Sequence, residues 1–124
     1  MAAFLHDKIF DSGLNYLTAN GVRCDICTQQ PATYAEAIGI YSKGNKAPFV
    51  VGAPTDRLGG GREVTTAAVT DGAVTGDGMV AYWAITYPAG SELLAAHALA
   101  APQIVTNGNT FTLASFKIGV PDPA

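Results

Sequence analysis

At 124 residues the chain is sized for one domain, 1–124, and can bury a core without disulfide or metal staples. Hydrophobic residues make up 48% and charged residues only 14%, against about 25% charged in ordinary domains; this excludes the disordered class, which combines low hydrophobicity with high charge. The net charge of −3 includes seven Lys and Arg spread thinly, without the basic cluster of a nucleic-acid binder.

A surface so poor in charge favours standing contact with partners over life as a free monomer. Met1-Ala2-Ala3-Phe4-Leu5-His6-Asp7 has no basic region leading into an apolar block, so no signal peptide is expected. No run of about 18 apolar residues is present, so no membrane partner is expected. Two cysteines do not make a disulfide framework. The expected product is a soluble protein made in the cytoplasm.

In chain order, Leu5, Ile9 and Leu14 recur near a 3.6-residue period, with Phe4, Phe10 and Leu17 widening the stripe; this predicts an N-terminal helix over 3–19, stopped by Asn20-Gly21 in a left-handed turn. Gly13 weakens that helix by about 1 kcal/mol relative to alanine. Residues 22–28 alternate, with Val22, Cys24 and Ile26 on one face and Arg23, Asp25 and Cys27 on the other, the pattern of a half-buried strand. Residues 31–37 suit one helical turn opened by Pro31. Ile38-Gly39-Ile40-Tyr41 and Pro48-Phe49-Val50-Val51 read as short strands around a Lys43-Gly44-Asn45-Lys46 turn. Gly52, Pro54 and Gly59-Gly60-Gly61 make 52–61 a loop, expected to be mobile.

Turn signals then recur at Asp71-Gly72, Gly76-Asp77-Gly78, Pro88-Ala89-Gly90 and Asn107-Gly108-Asn109, with β-rich runs at 62–69, 79–86 and 110–120 between them. In 79–86, Met79, Ala81, Trp83 and Ile85 are expected on the core face. Phe111 and Leu113 are out of phase with Phe116, Ile118 and Val120, and a bulge near Ala114-Ser115 would reconcile them. Residues 91–100 suit a strand or a helix, and their place in a β series favours the strand. The fold class expected is mostly β: one antiparallel β-sandwich or jelly-roll-like barrel over 22–120, with the N-terminal α-helix packed at an end or edge.

Cys24-Asp25-Ile26-Cys27 matches CxxC, but a redox pair should open a helix, where the helix terminus lowers the thiol pKa. Within a strand the two thiols point to opposite faces, one expected buried and inert, the other partly exposed. A Cys24/Cys27/His6/His97 zinc set exists on paper, though neither histidine has a ligand near it in sequence. Gly59-Gly60-Gly61-Arg62 lacks the Gly-Lys-Ser/Thr ending of a phosphate loop. Asp71, Asp77 and Asn107 are turn residues with only a faint suggestion of calcium ligation. No Gly-x-Ser-x-Gly elbow and no nucleophile–base pair is visible. Tyr16, Tyr34, Tyr41, Tyr82 and Tyr87 serve either packing or interface anchoring. No catalytic, cofactor-binding or metal-binding residue is therefore assigned; the expectation is a protein that is not an enzyme and carries no cofactor.

Three segments in the second half form an ordered series. They are Ala81-Tyr82-Trp83-Ala84-Ile85; Glu92-Leu93-Leu94-Ala95-Ala96-His97-Ala98-Leu99; and Gln103-Ile104-Val105-Thr106-Asn107-Gly108-Asn109-Thr110-Phe111-Thr112-Leu113. This series resembles small virion proteins of tailed phages, in which a W-A-L strand leads into LLA-x-G-x-L, then V-x-x-G-[DN]-T-x-x-[LI], then a closing strand. The leading helix, strand and 31–37 are similar as well. Ala96-His97-Ala98 lacks the glycine of the middle segment, so the local turn or bulge is expected to differ. The resemblance implies a capsid decoration (cement) protein on the major capsid protein, or a tail- or fibre-associated binding module, with cement favoured. It also implies self-association, with a trimer at a local symmetry axis as one arrangement, and a place on the virion capsid surface after synthesis in the bacterial host cytoplasm.

Overall fold

A computed structural model of the chain describes residues 4–5, 13–57 and 62–120. Among the described residues there are one α-helix, α1 (Leu14–Asn20), and ten strands: β1 (Phe4–Leu5), β2 (Arg23–Cys27), β3 (Ser42–Lys46), β4 (Thr55–Asp56), β5 (Arg62–Thr65), β6 (Val69–Val74), β7 (Gly78–Tyr87), β8 (Glu92–Val105), β9 (Thr110–Leu113) and β10 (Lys117–Val120). The larger sheet has seven strands in the order β1-β8-β7-β2-β3-β6-β9, and the smaller has three, β10-β5-β4. Every pairing is antiparallel. The result is the mostly β, sandwich-like architecture with a small N-terminal helix that the run of short strands predicts.

The core lies where the two sheets and α1 meet. Leu14 and Leu17 from α1, Cys24, Ile26, Val80, Trp83 and Ile85 from the large sheet, and Val64 and Ile118 from the small one form one buried cluster. The opposite face of the large sheet is also covered. There Cys27, Ala84, Leu93 and Ala96 pack with Ala37, and Tyr41 and Tyr82 lie against them. β2 is therefore buried on both faces, where alternation alone suggests burial on one.

Several expectations are overturned. Phe4 and Leu5 are strand, paired with Ala96 and Ala95, because tertiary pairing overrides the short helical period. The helix itself begins at Leu14, and the part of the expected helix at 6–12 lies outside the described residues. It stops before Gly21, but not by a left-handed turn: Gly21 has φ −79°. A Cβ there would sit 2.8 Å from Leu17 O and 2.9 Å from Ile85 Cγ2, so glycine is needed for close approach. Residues 38–40 are not a strand but part of a π turn, Glu36–Ile40, in which Tyr41 N–H bonds to Glu36 O at 3.2 Å. The expected Lys43–Lys46 turn is a central strand, β3, held between β2 and β6. Residues 48–51 contribute one bridge, Val51 to Thr66. Asp71-Gly72 lies inside β6 rather than in a turn. Of the 52–61 loop, Thr55–Asp56 pairs with β5, and 58–61 lie outside the described residues.

The core face of β7 is mixed. Trp83 and Ile85 are buried as expected, but Met79 is 55% exposed while Val80 is buried, because the ladder to β8 shifts between Val80 and Tyr82. Residues 92–100 are strand, within β8, and Ser91 is the left-handed residue that precedes it. Residues 110–120 do not form one bulged strand. β9 pairs with β6 in the large sheet, β10 pairs with β5 in the small one, and the intervening residues cross between sheets. Phe116 anchors that crossing: its N–H bonds to Thr66 Oγ1 (3.0 Å), and its carbonyl accepts from Thr66 N–H (2.8 Å).

Candidate interaction site

The two thiols do not converge. Cys24 faces the main core and Cys27 the second cluster, and both are free and fully buried, including the one expected to be partly exposed. Burial pushes the Cys24 thiol far up and the Cys27 thiol up to about 12, the reverse of an activated nucleophile. Between them Asp25 is also buried. Its carboxylate accepts two hydrogen bonds from Arg23 (Nε to Oδ1, 2.7 Å; Nη2 to Oδ2, 3.0 Å) and one from Ser42 Oγ at 2.6 Å. This fully engaged triad offers no free acid or base to a substrate. His97 lies edge-on to Trp83 (ring centroids 6.5 Å), and His6 lies outside the described residues. Among the described residues, no three His, Cys, Asp or Glu side chains gather as metal ligands.

Several other polar residues have local partners. Asp71 ion-pairs with Lys46 at 2.9 Å, which holds its carboxyl below the usual range. Asp77 Oδ1 accepts from Asn107 N–H at 2.7 Å, fastening two turns together. Arg62 donates to Asp56 (2.6 Å) and to Pro54 O (3.2 Å). Tyr16 donates to Glu92 and meets Tyr87 edge-on, while Tyr41 and Tyr82 pack on the second cluster.

A larger feature lies along β8 of the seven-stranded sheet. Among the described residues, β1 pairs with β8 at Ala95 and Ala96, β8 from His97 onward pairs with β7, and β9 stands at the other end of the sheet order. Between paired Ala98 and Gln103, β8 carries four residues opposite the single Ala81 of β7. Leu99, Ala100, Ala101 and Pro102 thus form a wide bulge. Leu99 is half-buried and the other three are exposed. Just beyond, the cross-strand partners Met79 and Ile104 are 55% and 80% exposed. Between the bulge and the 112–117 crossing runs a groove of about 560 Å³ lined by Trp83, His97, Leu99, Gln103 and Phe116, with Lys117 as its charged residue. Its floor is stiff, since Trp83 stacks on Phe116 with ring centroids 4.3 Å apart.

From 93 to 116 the chain contains no Asp, Glu, Lys or Arg. Much of that stretch is at the surface, so the structure presents an exposed, uncharged face. Depletion of charge at the centre marks protein–protein interfaces. The signal was legible as a gap in the spacing of charges, but composition averages it away, and only the fold shows that the gap lies outside rather than in the core. No family model matches the chain, and neither a curated protein nor a solved structure is found to be similar to it.

Proposed function

We propose that this protein is a non-enzymatic structural component of a tailed-phage virion: a capsid decoration (cement) protein that packs on the outer surface of the major capsid shell and stabilises it. The observation that carries the reading is the exposed face formed by much of 97–116, a stretch without Asp, Glu, Lys or Arg. It joins the resemblance in the same part of the chain. A cement protein acts through contact area. A standard interface takes about 800 Å² from each partner, about an eighth of the 6439 Å² this chain exposes. The contributions of many copies then add across a shell.

The test uses the purified chain and expanded empty capsids of its own phage. Saturable binding is expected, and capsids lacking the protein should rupture at a lower temperature than decorated ones. Failure to bind, or density for the protein on the tail in a map of purified particles, would overturn the proposal.

A further inference from the structure

Asn20 and Asn107 each stand directly before a glycine, as Asn15, Asn45 and Asn109 do not. Asparagine is among the thermolabile residues, and the reaction responsible is intramolecular. The backbone nitrogen of the following residue attacks the side-chain amide carbon. A following glycine, without a Cβ, leaves that nitrogen unshielded. The two dipeptides are identical in sequence, but the fold treats them differently.

Asn20 ends α1. Its Nδ2 donates to Tyr16 O at 3.1 Å, and Gly21 N–H donates to Leu17 O at 2.8 Å. Gly21 is buried, so close to Leu17 and Ile85 that a Cβ would not fit. Both reacting groups are held, and freeing them means undoing the end of a helix packed on the core. Asn107 and Gly108 are instead exposed, in the turn between β8 and β9 that Asn109 N–H closes onto Thr106 O at 3.1 Å. Gly108 has φ +91°, and its N–H donates to Val74 O at 3.0 Å. Among the described residues no hydrogen bond holds the Asn107 side-chain amide; Asp77 Oδ1 holds its backbone N–H. One bond at a surface turn therefore guards the reacting nitrogen. Such turns open at little cost, whereas core elements open at close to the free energy of global unfolding.

We propose that Asn107 is a site of spontaneous deamidation, and that the reaction is a slow charge switch in this turn. Gly108 N loses its proton and bonds to Asn107 Cγ, the bond from Cγ to Nδ2 breaks, and ammonia leaves. Water then opens the cyclic imide, at one carbonyl to give aspartate or at the other to give isoaspartate with a lengthened backbone. Either product puts a carboxylate beside Asp77, where the β6–β7 and β8–β9 connections are fastened together, and the like charges oppose that fastening. It also brings a charge into 93–116, a stretch that has no Asp, Glu, Lys or Arg. The reaction needs no capsid and does not depend on the virion role.

The test ages the full wild-type chain in mildly alkaline buffer below its unfolding temperature, beside a sample unfolded in urea. Mass spectrometry then follows two tryptic peptides: 9–23, which carries Asn20, and 63–117, which carries Asn107. Each conversion exchanges an amide nitrogen for oxygen and adds about one dalton, and fragmentation assigns the position. In the folded sample Asn107 should convert about tenfold faster than Asn20, or more; in urea the two should convert at similar rates. Asn107→Gln should abolish the gain at 107, because its ring would need a sixth member. In Asn107→Asp, which carries the charge of the product, hydrogen exchange of the residue 107 N–H should be several-fold faster than in the wild type. Folded-state conversion at Asn20 as fast as at Asn107, or none at Asn107 while the unfolded chain converts, would overturn the inference. So would an Asn107→Asp amide as protected as the wild-type one.

Discussion

The most constrained side chain is Asp25. Its carboxyl is held above the usual carboxylate value because burial outweighs the opposing hydrogen bonds from Arg23 and Ser42. The native state therefore keeps its proton to a higher pH than the unfolded chain does. Between the ordinary carboxylate pKa and the raised one, folding binds protons, so this group's contribution to stability falls as pH rises through that window. Urea unfolding across that range should show the slope in the wild type and its loss in Asp25→Asn. At neutral pH, Asp25→Ala should cost about 3 kcal/mol, because it leaves the guanidinium of Arg23, only 24% exposed, without its acceptor. An alanine variant as stable as the wild type would contradict the account.

Among the elements, β6 shows how a glycine can mislead. Asp71-Gly72 reads as a turn, yet Gly72 sits in a strand opposite Phe111, and a Cβ there would come within 2.3 Å of the Phe111 ring. The glycine makes room for an aromatic ring from the neighbouring strand, a contact invisible until β6 and β9 are paired. Gly72→Ala should destabilise by about 2 kcal/mol through overpacking, and Phe111→Leu in the same chain should recover part of it, as read from urea midpoints. An alanine variant with an unshifted midpoint would refute the steric explanation. Lys43-Gly44-Asn45-Lys46 misleads in the same way: polar residues around a glycine form a central strand because both neighbours demand it. Where alternation was long and apolar, as in β2 and β7, or where the β series set the context, as in β8, the strands were legible. The N-terminal stripe was not, since two residues that fit a helix pair instead with β8.

At the level of the whole molecule, the two sheets are joined at Phe116. The phase change between Leu113 and Phe116 was visible in sequence, but its meaning was a change of sheet and not a bulge. Periodicity records which face is buried and says nothing about which sheet owns the strand. Phe116→Ala should cost about 2 kcal/mol, below the 3–5 kcal/mol for a fully buried phenylalanine, since this ring is only partly buried. It should also shift Trp83 emission to the red by admitting water to the groove floor. Unchanged emission would show that the stack does not shield Trp83. The candidate site was legible only in part: the aromatics and the resemblance drew attention to the second half of the chain, whereas the uncharged face needed the β8 bulge and the exposure of 97–104 to be seen together.

The pairing of Phe4 with Ala96 and of Arg62 with Val120 has a bearing on how the chain is made. Its opening strand has no partner until some ninety residues later, roughly 5 to 18 s of synthesis at about 5–20 residues per second. During that interval the ribosome carries a half-finished sheet, which closes only once β8 and β10 have emerged.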